Sequence, residues 1–526
     1  MGEPFYITTA INYPNGRPHI GHAYEGIATD VMARFQRHMG RDVRFITGTD
    51  EHGLKMDQTA RKAGRQTIDL ADEMSGYFRE MADVLNLSYD DFVRTSEPRH
   101  HSASVELWRR MEAAGDLYLD RYEGWYSVRD EAFYEESELV EGEGADGEKV
   151  KLSPQGTPVE WTAEETWFFR LSKYQDKLLA LYENNPDFIR PESRRNEVMR
   201  FVEGGLKDLS VSRTSFDWGV PVPDSDGHVM YVWVDALTTY MTGVGFPDAD
   251  GETFQRYWPA NIHMIGKDIV RFHTVYWPAF LMSADLPLPK QVFGHGFLLA
   301  RGGEKMSKSA GNVVDPMALA EQFGVDNLRY FFLREIAFGQ DGSYSPEAIV
   351  TRTNAELANS FGNLAQRTLS MIAKNMDGTL EAFEPANADE ELLALVRQAC
   401  ATDLPGQFER LAFSLGIEAW IKAVYACNQY VDEQAPWALK KTDPERMKVV
   451  LQTLFMAIRD LAIAIQPVVP EKAKALLDQI GIPEGERGFA ALSDMGWYIR
   501  LVDSGFSVPK PTPIFPRLEM PEEEAV

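Results

Sequence analysis

The chain has 526 residues, of which 44% are hydrophobic, and a formal net charge of −27. It is long enough for two to four domains with sizeable cores, and its two cysteines, Cys400 and Cys427, rule out a disulfide framework and suit a reducing cytosol. The acidity opposes non-specific attraction to phosphate, so a nucleic-acid partner would need a local basic patch such as Arg190, Arg194, Arg195 and Arg200, which reads equally as a solvated face.

Phe5 to Ala10 is a short apolar, β-branched run that predicts a buried strand begun almost at the N-terminus, leaving no signal peptide. Asn12-Tyr13-Pro14-Asn15-Gly16 forms a turn cluster. From Ile20, apolar positions Ala23, Ile27, Val31 and Phe35 recur at helical spacing until Gly40, and Val43 to Thr47 reads as the next strand. Strand–helix–strand units cross over right-handed, and their ligands lie beyond the carboxyl ends of the strands, so the turns at Tyr13 and at Gly48-Thr49-Asp50 should converge. Around residue 115 the character changes to an aromatic-rich, then acidic and Gly-rich stretch, which reads as an insertion. Strand-like runs resume at Tyr231–Val234, Ile262–Ile265 and Val292–Phe293, and from Glu347 to about Ile480 the pattern is helical throughout. The most apolar stretch, Leu451 to Val469, contains Arg459 and Asp460 and so predicts a core helix rather than a membrane span.

Two motifs carry the chemistry. His19-Ile20-Gly21-His22 places two imidazoles and a glycine at a helix start, and Lys305-Met306-Ser307-Lys308-Ser309 puts two ammonium groups on a hydroxyl-rich loop. Both suit a triphosphate, since imidazolium and ammonium donors neutralise charge developing on phosphoryl oxygens and helix-start N–H groups favour anions. Taken alone, His19 and His22 would read equally well as helix-capping polar residues.

These motifs, in this order, resemble the signatures of class I aminoacyl-tRNA synthetases. Ala10-Ile11-Asn12-Tyr13-Pro14-Asn15-Gly16, Tyr231-Val232-Trp233-Val234-Asp235-Ala236, Gly266-Lys267-Asp268-Ile269-Val270-Arg271-Phe272-His273 and Ala435-Pro436-Trp437 resemble the methionyl-tRNA synthetases, from near residue 4 to about 517. The resemblance implies an α/β, Rossmann-like parallel-sheet catalytic domain split by an insertion and followed by an all-α anticodon-binding bundle. We assign 1–114 and 231–325 to the halves of the catalytic domain, 115–230 to the insertion, 326–355 to a linking segment, 356–500 to the bundle and 501–526 to a loosely packed tail. It also implies the activity: methionine and ATP give methionyl-adenylate and pyrophosphate, and the acyl group passes to the 3′ end of methionine tRNA, initiator and elongator.

Site residues follow from the same resemblance. His19, His22, Lys305 and Lys308 are the expected phosphate-side donors, with Mg²⁺ accompanying the ATP. Asp50 is expected to bind the amino-acid ammonium, helped by Ala10, the Ile11 carbonyl and the Tyr13 hydroxyl, although capping of the next helix is its plainer role. Arg213 matches a position that reaches the active site. Trp233, Ala236, Leu237, Tyr240, Phe272, His273 and Trp277 should line an apolar, aromatic pocket for the thioether, or serve as plain core; Leu237 stands where relatives commonly have proline. Gly21, Gly266, Asp268, His295, Gly296, Phe297 and Leu298 are expected to border the nucleotide.

In zinc-bearing relatives the insertion holds cysteine pairs. None lies between residues 115 and 230 here, and Ser127 and Asp130 occupy that region, so no structural zinc is expected. Asn359, Asn363 and Arg367 recur every four residues opposite Leu357, Phe361, Leu364 and Ile372, and with Trp437 they suit the reading of unstacked anticodon bases. No basic module follows residue 517, which favours a monomer in the cytoplasm. The competing readings are a class I synthetase for another apolar amino acid, a nucleotidyltransferase acting without tRNA, and a non-catalytic tRNA-binding relative.

Overall fold

The structure is a computed structural model that describes residues 2–130, 132–143, 149–299, 303–304, 306 and 313–520. Six parallel strands form the central sheet, in the order 91–94, 42–49, 4–8, 262–266, 292–295 and 189–190. Strand β1 (Pro4–Thr8), helix α1 (Ile20–His38) and strand β2 (Asp42–Thr49) form the first crossover unit. Because β1 sits between β2 and the strand Ile262–Gly266, the strand order reverses there, and that is where such sheets open a crevice at their carboxyl ends.

The insertion forms a separate antiparallel sheet, in the order 209–210, 160–169, 117–127 and 132–134. Segment 115–230 is not insertion throughout. Ile189–Arg190 pairs in parallel with Val292–Phe293 at the edge of the central sheet. Of the expected basic patch, Arg190 pairs with Asp187, Arg194 pairs with Glu197 and Arg195 donates to the Tyr182 carbonyl, while Arg200 is exposed. The expected strand at Tyr231–Val234 is instead the start of a helix, Val232–Thr242, with Tyr231 as its N-cap. Its β-branched and aromatic residues are buried on nearly every side, and burial outvotes local strand preference.

Beyond Pro346 the described chain is mostly helical. Proline opens the helices at Pro346, Pro436, Pro444 and Pro470, where its fixed φ fits and no N–H is missed. Ser345 and Asp443 cap two of them through bonds to the N–H groups of Ala348 and Arg446. The stretch with Arg459 and Asp460 is a core helix, Pro444–Ile465, in which that pair is buried at 2.7 Å. Among the described residues no helix is long and apolar enough to cross a membrane. The tail, expected to be loose, packs on the bundle: Val508 and Phe515 are buried, and Asn354 bonds both backbone groups of Leu518.

Bundle and sheet share one core. Phe35 of α1 meets Phe408 and Phe489 edge-on, each at 5.5 Å. Deeper still, Arg329 is fully buried, with its guanidinium 2.6 Å from Asp30 of α1 and donating to the carbonyls of Pro467 and Val468. The N–H and the hydroxyl of Ser88, each 2.6 Å from the other oxygen, and Arg34 at 2.8 Å complete the Asp30 carboxylate's surroundings.

Candidate active site

The carboxyl ends of four central strands converge on a cleft of ≈ 440 Å³. β1 leads to Ala10, Ile11 and Tyr13, β2 to Asp50, Ile262–Gly266 to Asp268, and Val292–His295 to Gly296, Phe297 and Leu298.

His19 is the N-cap of α1. Its Nδ1 accepts the Gly21 N–H at 3.1 Å, while the His22 Nδ1 accepts the His19 N–H at 3.1 Å, closing a reciprocal capping box. The rings stack at 3.8 Å. With both Nδ1 atoms occupied as acceptors, each ring carries its proton on Nε2, so these are neutral N–H donors rather than the imidazolium ions that the sequence suggested. Gly21 is required by this fold-back, because a Cβ there would lie 2.9 Å from the His19 ring.

Glu25, one turn beyond His22, was not picked out from the sequence, yet it lies at the centre of the cleft. One oxygen accepts the Ala10 N–H at 2.9 Å; the other lies 2.8 Å from Nε2 of His295. The His295 Nδ1 donates to the Gly296 carbonyl at 2.8 Å. Burial alone would lower the pKa of His295, but the Glu25 hydrogen bond and charge raise it above the ordinary value. Spacing of i, i+3 and i+6 from His19 was the available signal for Glu25. Lys55 and, from the insertion, Arg129 and Gln155 also line the cleft without having been singled out, as do Asn12, Asp130 and Ile269, which the sequence brought up for other reasons.

At the apolar end, Trp233 and Phe272 stack at 3.8 Å and 6°. The Tyr240 hydroxyl lies 2.6 Å from Nε2 of His273, whose Nδ1 donates to the Ile269 carbonyl at 2.9 Å. Burial lowers the His273 pKa to about 4, so the ring is neutral and Nε2 accepts from Tyr240. Ala236 and Leu237 complete this wall. Trp277 does not reach the cleft: it is fully buried behind Tyr240, with its ring 6.2 Å away. The cause is a wide, π-helical turn at Phe272–Tyr276, which departs from the 3.6-residue spacing by which a regular helix would set Trp277 on the face of Phe272 and His273. Arg213 does not line the cleft either. It is buried, donates to Ser210 and the Ser212 carbonyl, and lies 4.7 Å from the ring of Tyr231, the residue that caps the pocket helix.

On the side expected to border the nucleotide, the Phe297 N–H donates to Asp341 at 2.8 Å, and its ring lies 4.5 Å from the Lys267 ammonium, itself paired with Asp341. A Cβ on Gly296 would sit 2.2 Å from the backbone of Gln340, so only glycine fits. Lys305 and Lys308 lie outside the described residues. Their flanks do not: Met306 lines the cleft, and the Val314 carbonyl accepts the N–H of Ile20 at 3.1 Å, tying the far side of that loop to the start of α1.

Ser127 and Asp130, at the position of the missing cysteines, join a knot of hydroxyls: Asp130 accepts from Ser153 at 2.7 Å, from Tyr134 and from Thr157. Among the described residues no group of His, Cys, Asp and Glu is placed to hold a metal ion. In the bundle, Asn359, Asn363 and Arg367 are exposed while Leu357, Phe361, Leu364 and Ile372 are buried. Ala435 adopts a left-handed conformation between two helices, leaving Trp437 47% exposed with its ring 5.5 Å from the Arg367 guanidinium.

A parallel sheet with a histidine pair at the start of its first crossover helix, in a chain that also carries the Lys305–Ser309 sequence motif, defines a class I aminoacyl-tRNA synthetase. Residues 5–369 match the family model described as tRNA synthetases class I (M), and residues 381–525 that of the anticodon binding domain of methionyl tRNA ligase. The chain is 57% identical over 522 residues to the methionine–tRNA ligase of Rhizobium meliloti, covering 99% of each, and 57% identical over 525 residues to that of Mycobacterium tuberculosis strain H37Rv, again covering 99% of each. The crystal structure of the Mycobacterium tuberculosis methionyl-tRNA synthetase bound by methionyl-adenylate has a TM-score of 0.92 at 56% identity, over 98% of this chain and 100% of that one. Its apo form has a TM-score of 0.87 at 53% identity, covering 99% of each. The chain therefore belongs to the methionine–tRNA ligase family, and its activity is the ATP-dependent joining of methionine to tRNA.

Proposed function

We propose the following division of labour for that reaction. The methionine carboxylate, already ionised at neutral pH, attacks the α-phosphorus of ATP, and pyrophosphate leaves. No strong base is needed, so the cleft works by positioning and by stabilising charge. Asp50 binds the ammonium, with the Ile11 carbonyl and Tyr13 beside it. Trp233, Ala236, Leu237, Tyr240, Phe272 and His273 enclose the thioether, with Trp277 and Arg213 supporting from behind. The Nε2–H groups of His19 and His22 face the phosphates, Lys305 and Lys308 supply the second set of cationic donors to them, and Mg²⁺ carried in with ATP would be held mostly by phosphate oxygens and water. Gly266 and Asp268 hold the ribose; His295, Gly296, Phe297 and Leu298 border the base. The 3′-terminal hydroxyl of the tRNA then attacks the adenylate carbonyl and AMP leaves.

The observation that carries this reading is the convergence of Asp50, the aromatic wall and the histidine pair on one cleft. Asn359, Asn363, Arg367 and Trp437 read the anticodon of initiator and elongator methionine tRNAs, and the chain acts as a cytoplasmic monomer. Methionine-dependent ATP–pyrophosphate exchange by the native chain, Asp50→Ala and Lys308→Ala tests the site: both substitutions should strongly reduce exchange, and unchanged exchange in either removes that residue. Charging of both tRNA types and sedimentation of the free enzyme test the rest.

A further inference from the structure

Two residues beyond Asp50 the chain leaves the cleft and enters a buried polar cluster. Nδ1 of His52 lies 2.5 Å from one carboxylate oxygen of Asp235, and Nε2 of His100 lies 2.5 Å from the other. His100 continues through Nδ1 to Thr242 at 2.9 Å. His52 is 3% exposed, and His100 and Asp235 are wholly buried. None of the three lines the cleft. They join the loop after β2, the first turn of the pocket helix Val232–Thr242, and the start of the helix Pro98–Ala113.

Burial would raise the pKa of Asp235, but the two imidazoles hold it well below the usual carboxylate range, so it is ionised at neutral pH. An ionised group in a core is a poor way to gain stability, since apolar residues of equal volume generally do as well or better. What a two-oxygen carboxylate adds is direction. It fixes both the rotation and the height of its helix against two separate partners. The same helix turns Trp233, Ala236 and Tyr240 toward the cleft, and the loop that Asp235 grips through His52 is the one that carries Asp50.

We propose that Asp235 is a positioning residue for the amino-acid end of the site: held by His52 on one side and His100 on the other, it sets the separation between the ammonium-binding carboxylate and the thioether pocket. This rests on the assignment of Asp50 and the Val232–Thr242 helix to methionine. The nucleotide end is built on α1 and on the loops after Ile262–Gly266 and Val292–His295, which carry none of the three clamp residues.

Separate KM values for methionine and ATP in pyrophosphate exchange test the proposal. Asp235→Asn and His52→Leu should raise the methionine KM by about tenfold or more and leave the ATP KM within about twofold. His52→Asn and His100→Gln keep an amide N–H at the place of the bonding ring nitrogen, and both should stay within about threefold of the native methionine KM. KM reports only on folded molecules, so a loss confined to yield or apparent kcat marks a purely structural role and overturns the proposal. So does a methionine KM unchanged in Asp235→Asn, or both KM values rising together. Should Asp235→Asn fail to fold, the contrast between His52→Leu and His52→Asn decides by the same criterion. Asp50→Ala is measured alongside; an unchanged methionine KM there refutes the site assignment itself, whatever the clamp variants do.

Discussion

Glu25→Gln removes one charge from the centre of the cleft and almost no volume. In the native chain both nitrogens of His295 face acceptors, the Gly296 carbonyl at 2.8 Å and the Glu25 carboxylate at 2.8 Å, so the ring is held as an imidazolium. A glutamine can still accept the Ala10 N–H with its oxygen, but it then turns an N–H toward His295, which suits only the neutral ring. Burial, no longer opposed by a carboxylate, lowers the His295 pKa. A hydrogen bond to a charged group contributes about 1.5–3 kcal/mol and a neutral one about 0.5–1.5, so the exchange costs roughly 1–1.5 kcal/mol, or about five- to tenfold. Since His295 and Gly296 border the nucleotide in the proposed site, the loss should appear in kcat/KM for ATP in pyrophosphate exchange. The pH dependence has a definite sign. A histidine whose folded pKa is raised contributes fully below its unfolded value of about 6.5, and that contribution disappears as pH rises through the folded value. The gap between native and variant should therefore be widest in acid and close in alkali, in activity and in thermal stability alike. A native-to-variant ratio that stays flat from acid to alkaline pH would refute the reasoning.

Three further outcomes are expected. Tyr240→Phe leaves Nε2 of the buried His273 without its donor, which should cost about 1–3 kcal/mol of stability and raise the methionine KM; a melting temperature equal to the native one would contradict this. Trp437→Ala and Arg367→Ala should each raise the tRNA KM in charging by about tenfold, since stacking on a base contributes about 1–3 kcal/mol; a tRNA KM within twofold of native excludes the residue. Asp30→Leu strands the buried Arg329 and should cost about 3–5 kcal/mol, whereas Asp30→Leu with Arg329→Leu should cost less than the single change. The charges of Arg329 and Arg34 and bonds from Ser88 hold the Asp30 pKa below its usual value despite burial, so its contribution is present above the unfolded pKa and is lost as pH falls through the folded one; equilibrium melts across acid pH follow this directly.

Local pattern made much of this molecule readable in the sequence. The turn at Tyr13, the helix from Ile20 and the strand ending at Asp50 follow from periodicity and breakers, and the histidine and lysine motifs point to the phosphate side. What stayed hidden depends on partners distant in the chain. Tyr231–Val234 has the composition of a strand, and only its burial on all sides makes it helical. Trp277 falls behind the pocket because one wide turn shifts the face by a residue, a feature that no spacing rule announces. Arg213 carries a family position, yet its guanidinium is occupied by Ser210 and Ser212. Glu25 was hidden for a different reason: a glutamate on an amphipathic helix reads as solvated until the strand bearing His295 is brought against it, 270 residues later.

The guanidinium lodged between α1 and the carbonyls of Pro467 and Val468 bears on any attempt to dissect this chain. A shortened protein ending ahead of residue 467 would retain the cation and lose two of its oxygens, opening the floor beneath the histidine-bearing helix to water. Minimal catalytic fragments of this chain should accordingly be drawn to keep that corner of the bundle, even when no RNA is to be bound.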